Sequence, residues 1–168
     1  VETAGVRRID VGTALEMRDA VWAELDGADV VVKAAAVADF RPAVRADRKL
    51  KKEALGAEGG LTLELVRNPD ILAEVSAPGR GRERRVVVGF AAESEDVIPS
   101  AVRKLARKGC DLMVANDVSG RDAGFDVDTN AVTFVWPSGD VEELPLMPKR
   151  DVASQLFDRI EKLLRGRA

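Results

Sequence analysis

The sequence predicts a three-layer α/β/α sandwich around a mostly parallel sheet, with one protruding flap. Three observations lead there. Short valine-rich runs alternate with amphipathic stretches of helical period along the whole length. One run, Val30-Val31-Val32-Lys33-Ala34-Ala35-Ala36-Val37-Ala38, ends abruptly in Asp39, Phe40, Arg41 and Pro42. A central parallel strand delivers polar groups in this way to a crevice at its carboxyl end. Between 41 and 60 no period holds, and Pro42, Gly56, Gly59 and Gly60 interrupt it, so that stretch reads as a flap.

Taken in order, residues 7–11 read as a short strand. Thr13-Ala14-Leu15-Glu16 is a capping box, after which Met17, Ala20, Val21 and Leu25 recur at helical spacing until Gly27. The buried strand covers 29–36. The flap covers 41–66 and ends in a hairpin arm in which Leu61, Leu63 and Leu65 alternate. Asn68 as N-cap and Pro69 at the first helical position open a helix to about 77. After a loop at 79–85 comes a strand at 86–90. Ser94 or Asp96 opens the next helix, with Ile98, Ala101, Val102, Leu105 and Ala106 inward and Gly109 at its end. A buried strand at 111–115, a polar loop at 116–130 and a hairpin of 131–136 with 141–146 follow. A last helix over 150–164 places Val152, Leu156, Ile160 and Leu163 on one stripe. This alternation is Rossmann-like.

A chain of 168 residues suffices for one domain with a real core. The net charge of -3 argues against nucleic acid or an anionic membrane as partner. Cations nevertheless cluster at 41–52, 80–85 and 103–108, which suits a small anionic ligand. A single cysteine allows no internal disulfide, and no leader-like or membrane-length apolar run is present, so the cytoplasm is the expected location. With neither histidine nor tyrosine, imidazole catalysis and histidine-ligated zinc are excluded. Chemistry must rest on Lys, Arg, Asp, Glu, Asn and backbone groups.

Asp39 followed by Arg45, Arg48, Lys49, Lys51 and Lys52 suits a polyphosphate with its metal ion. The alternative is a solvated carboxylate beside a solvated charge run. Lys33 inside an apolar run argues against plain strand packing, and the small Ala34 and Ala35 permit close approach of a base. Pro69, Asp70, Ile71 and Leu72 form a first helical turn, whose open N–H groups favour an anion or a base carbonyl. Phe90, at the tip of its expected strand, is either core or a flank for a ribose or pyrimidine. Lys104 and Lys108, four apart, share a helical face, while Arg103 and Arg107 read as a solvated one. Cys110 reads as a small packed residue.

Five blocks in order resemble the phosphopantothenate–cysteine ligase family. They are Ala34-Ala35-Ala36-Val37-Ala38-Asp39-Phe40-Arg41-Pro42, Lys49-Leu50-Lys51-Lys52, Asn68-Pro69-Asp70-Ile71-Leu72, Val88-Gly89-Phe90-Ala91-Ala92-Glu93, and Lys108-Gly109-Cys110-Asp111-Leu112-Met113-Val114-Ala115-Asn116-Asp117-Val118. The resemblance implies a ligase of coenzyme A biosynthesis that joins 4′-phosphopantothenate to L-cysteine. The carboxylate would attack the α-phosphate of CTP, giving an acyl-cytidylate and pyrophosphate, and the cysteine amine would then displace CMP. The resemblance also implies Mg2+, a homodimer, and fusion to or association with a flavin-dependent decarboxylase domain. It makes Lys33, Ala34, Ala35, Asp39, Lys49, Pro69, Asp70, Ile71, Leu72, Phe90, Lys104 and Lys108 the CTP-site residues. Lys49 would be the catalytic lysine on the triphosphate, and Asp39 would meet the ribose or Mg2+. The family's opening strand, glycine-rich loop and Asn-x-Ser-Ser-Gly-like segment have no match in this sequence, so residues 1–168 read as a single ligase domain without them.

Two other readings stand beside it. A dinucleotide-dependent oxidoreductase would need Gly-x-Gly-x-x-Gly in the first strand–helix turn, and none exists. A noncatalytic nucleotide-binding or dimerisation module would bind CTP without forming product.

Overall fold

The computed structural model describes residues 4–51, 60–93, 95–117 and 127–167. Four helices lie at α1 (Ala14–Glu24), α2 (Ile71–Ser76), α3 (Val97–Lys108) and α4 (Lys149–Arg165). The strands are β1 (Val30–Lys33), β2 (Phe40–Pro42), β3 (Leu65–Arg67), β4 (Val86–Glu93), β5 (Leu112–Asp117), β6 (Thr129–Asn130), β7 (Val132–Val135), β8 (Val141–Glu143) and β9 (Met147–Pro148). The chain divides into two units, one of Val1–Ala20 with Ala36–Asp70, the other of Val21–Ala35 with Ile71–Ala168.

The second unit holds a five-stranded sheet in the order β1-β4-β5-β7-β8. β1, β4 and β5 run parallel, while β7 and β8 add an antiparallel hairpin edge. Alternate residues of each strand point to opposite faces, so one sheet can bury both. Val86, Val88, Leu112, Val114, Val132 and Phe134 meet Val152, Leu156 and Ile160 of α4 on one face. On the other, Gly89 lies against Leu72 of α2 and Met113, and α3 packs beside α2 with Ala101 and Leu105 buried. The expected three layers follow, and each fully buried aliphatic side chain contributes about 1.5–3 kcal/mol.

Several boundaries move. Residues 7–11 form no strand; Val6 and Ile9 are exposed, and a strand needs a ladder partner. The buried central strand expected at 29–36 is β1, four residues long and half-buried, because β4 is its single described neighbour. Ala34, Ala35 and Ala36 lie beyond it and are exposed. β4 runs three residues past Phe90, because its pairing with β5 continues to Glu93 and Asp117. In α3, Val102 and Ala106 face outward, one position off the stripe of Ala101 and Leu105. Ser94 lies outside the described residues; α3 follows Asp96, which makes no side-chain cap. Gly109, at φ 70°, ends α3 as expected and donates to the Leu105 carbonyl at 2.9 Å.

In the first unit the capping box forms: the Glu16 N–H donates to Thr13 Oγ1 at 3.1 Å, and the Thr13 N–H to Glu16 Oε2 at 3.2 Å. β2 and β3 make a two-stranded antiparallel ribbon. Residues 61–64 are not strand, so the expected arm is shorter, and Leu61, Leu63 and Leu65 are all exposed. Asn68 does not cap α2, which begins three residues later. Its Nδ2 donates to the Ala38 carbonyl at 2.8 Å and its Oδ1 accepts from Arg41 Nη1 at 3.3 Å, clamping the base of the ribbon. The flap tip at 52–59, including Lys52, and most of the polar loop, 118–126, lie outside the described residues. Among the described residues no helix is long and apolar enough to cross a membrane.

Candidate nucleotide site

The carboxyl end of β1 carries three of the candidates of the second unit, Lys33, Ala34 and Ala35. Lys33 closes β1 opposite Gly89. Its ammonium donates to the Ala35 carbonyl at 3.0 Å, so it ties down the turn that presents Ala34 and Ala35. Ile71 and Leu72 are 3% and 5% exposed. Their side chains belong to the core, and their backbone N–H groups, at the start of α2, are what a ligand could meet. Phe90 is corrected: it sits inside β4, half-buried and packed against the α4-side cluster, because the strand continues past it.

α3 supplies the lysines. Lys104 Nζ lies 2.6 Å from Glu93 Oε1, the last residue of β4. Lys104 and Ser100 line an open groove of about 350 Å³ with Glu93, Arg103 and Arg107. Arg103 and Arg107 therefore share a concavity with Lys104 rather than forming a separate solvated face. Lys108 is half-buried on the same side of α3.

The first unit holds Asp39, Lys49, Pro69 and Asp70. Asp39 is exposed at the start of the ribbon, and its carbonyl accepts from the Asn68 N–H at 2.8 Å, which fixes Asp39 beside the Asn68-Pro69-Asp70 segment. Lys49 and Lys51 are exposed, and Lys49 makes no hydrogen bond or ion pair among the described residues. No group of three metal-ligating side chains occurs among the described residues. Asp39 offers one exposed carboxylate, a donor that fits Mg2+, which takes one or two carboxylates and completes its shell with phosphates and water.

Of the 80–85 cations, Arg82 and Arg85 serve the fold. Arg85 is 3% exposed and donates to the carbonyls of Ala28, Leu25 and Arg80 at 3.1, 2.6 and 2.9 Å. Arg82 donates to Ser76, Arg85 and Gly109 carbonyls and pairs with Asp111 at 3.0 Å. Arg167 also pairs with Asp111, whose Oδ2 accepts from the Val87 N–H at 2.7 Å. These arginines brace the amino ends of β4 and β5. Arg80 pairs with exposed Asp26, and this hydrogen-bonded guanidinium lowers the Asp26 carboxyl. Cys110 is buried, and burial pushes its thiol up to about 11, so it is the packed residue expected.

Sequence reasoning gives Glu93 no role, although a polar residue ending an apolar strand, the pattern used for Asp39, marks it. Asn116 and Asp117 read from the sequence as the end of a central strand that lines the site, with no role assigned, and β5 does end there. Asn116 Oδ1 is buried without a hydrogen-bond partner among the described residues, two positions beyond Val114, which pairs with Phe90.

Residues 1–164 match the family described as the DNA/pantothenate metabolism flavoprotein C-terminal domain. The coenzyme A biosynthesis bifunctional protein CoaBC of Bacillus subtilis is 46% identical over 155 residues, which are 92% of this chain and 36% of that protein. The chain spans 36–40% of the length of the curated relatives it matches. A crystal structure of a CoaBC C-terminal domain is 35% identical, covers 94% of this chain and 68% of that one, and superposes with a TM-score of 0.70. A Cab2 mutant in complex with phosphopantothenate-cysteine is 17% identical with a TM-score of 0.68 over 94% of this chain and 54% of that one, a likeness of fold.

Proposed function

The chain belongs to the DNA/pantothenate metabolism flavoprotein C-terminal domain family, and from that premise we propose that it is the ligase part of a coenzyme A biosynthesis protein. In this reading it joins 4′-phosphopantothenate to L-cysteine at the expense of CTP. The substrate carboxylate attacks the α-phosphorus, the α–β bridging bond breaks, and pyrophosphate leaves. The cysteine amine then attacks the acyl carbon, losing a proton, and CMP departs.

The chain's residues do this by position and charge, with no protein nucleophile. Lys49 acts on the triphosphate as the catalytic lysine, and Lys104 and Lys108 hold phosphate oxygens, lowering the cost of the charge that builds on pyrophosphate as it leaves. Ala34 and Ala35 allow close approach on the turn that Lys33 holds. The start of α2, with Pro69 and Asp70 before it, offers N–H groups to the nucleotide. Phe90, inside β4, contributes through the shape of the sheet below the ligand. Asp39 would hold Mg2+, which when bound neutralises phosphate charge and aligns the phosphates.

The observation that supports the reading most is that the blocks shared with a pantothenate-metabolism family include the carboxyl ends of the parallel strands β1, β4 and β5. In open α/β sheets that is where ligands bind. A cytoplasmic homodimer, paired through the exposed Leu61, Leu63 and Leu65, and a flavin-dependent decarboxylase partner domain complete the proposal. The test is pyrophosphate release, expected when CTP, Mg2+ and 4′-phosphopantothenate are all present. Release that ignores 4′-phosphopantothenate, or that is equal with ATP, would overturn it. CTP binding without any product would favour the noncatalytic module.

A further inference from the structure

We infer that Glu93 is a positioning residue for Lys104: its carboxylate holds the ammonium extended into the α3 groove, ready for a nucleotide phosphate. The inference rests on the nucleotide reading of Lys104 and adds to it a residue with no role assigned above.

Three observations carry it. Glu93 ends β4, where the ladder with β5 fixes its backbone through the pairing of Glu93 with Asp117. Its side chain is 15% exposed, whereas that of Lys104 is 38% exposed, so the carboxylate is the fixed partner and the lysine the reaching one. The pair lies at 2.6 Å, a charge-assisted contact that takes one ammonium hydrogen and leaves the other two to an acceptor in the groove.

The groove itself explains why an acid is needed. Ser100, Arg103, Lys104 and Arg107 line it, and Glu93 is its one acidic lining residue among the described residues. Three cations on one helical face repel one another, and a lysine has about 2 kcal/mol of rotamer entropy to lose on being fixed. Without Glu93, Lys104 would swing outward, and a nucleotide would have to order it on binding. With Glu93, that ordering is complete beforehand. An opposing effect exists: a carboxylate near the phosphates repels them. The proposal requires ordering to outweigh repulsion, so the sign of the measured change decides.

The experiment is a double-mutant cycle on CTP·Mg2+ affinity, by calorimetry, with Glu93→Gln, Lys104→Met and the double variant. Thermal unfolding of each confirms the fold. The expected result is that Glu93→Gln weakens CTP about fivefold in the parent and leaves affinity unchanged in the Lys104→Met background, since the glutamate acts through the lysine. Glu93→Asp should recover part of the loss. Tighter binding by Glu93→Gln, or the same loss in both backgrounds, would overturn the inference. A merely structural bridge would move the unfolding temperature and not this coupling. If Lys104→Met alone left CTP affinity untouched, the nucleotide reading of Lys104 would fail, and the inference with it. Should Glu93→Gln unfold the chain, Glu93→Asp in the same cycle supplies the answer.

Discussion

A methyl group added to Gly89 would stand 2.5 Å from Leu72 Cδ2 and 3.2 Å from Met113 Cε. The missing side chain of β4 is thus the space in which α2 rests. Gly89→Ala should destabilise the fold by about 1–3 kcal/mol, as overpacking does. It should also weaken CTP, because the start of α2 must shift. Urea unfolding and calorimetry check both; an unchanged midpoint would show that Leu72 simply turns aside.

Arg85 should matter to the fold and not to the ligand. Replacing it with leucine removes hydrogen bonds to the carbonyls of Ala28, Leu25 and Arg80, of which Leu25 keeps the Ala28 N–H, at a cost of about 2–3 kcal/mol. CTP affinity of the folded molecules should stay the same. A loss below about 1 kcal/mol in urea unfolding would mean that the carbonyls find water instead.

Cys110 makes stability depend on alkaline pH. Its thiol titrates near 11 when folded, against an ordinary value near 9.0. The unfolded thiol therefore releases its proton first as pH rises, and stability falls between about 9 and 11, by about 2–3 kcal/mol in full. Cys110→Ser or Cys110→Ala should flatten that part of the profile. In the native protein, alkylation of Cys110 at pH 8 should be slow and should speed up on unfolding.

The exposed Leu61, Leu63 and Leu65 predict self-association. Leu63→Glu should convert a dimer into a monomer in light scattering while leaving thermal stability of the monomer close to that of the parent. A parent chain that is monomeric at every concentration would contradict the pairing.

Much of this molecule was legible in its residues. The capping box at Thr13, the αL end at Gly109, the β7–β8 hairpin and the Val152, Leu156 and Ile160 stripe all depend on neighbours within a few positions, and all formed. What misled were features decided by distant partners. Residues 7–11 have strand composition but no ladder; Asn68 has capping chemistry but spends its amide on Ala38 and Arg41. Phe90 looked terminal because nothing in β4 announces that pairing with β5 continues to Glu93. Arg82 and Arg85 looked like a ligand's counter-charge, yet they donate to backbone carbonyls. Lys33 and Lys104 were legible as candidates, but their partners, the Ala35 carbonyl and Glu93, were not.

The central claim is that this chain holds a pyrimidine triphosphate by its lysines. Calorimetry of CTP and ATP with Mg2+, on the chain and on Lys49→Ala, tests it most directly. The account predicts CTP bound at least about tenfold more tightly than ATP, and a loss of about tenfold or more on removing Lys49, each about 1.4 kcal/mol. Equal affinity for the two nucleotides, or CTP bound as well without Lys49, would contradict it.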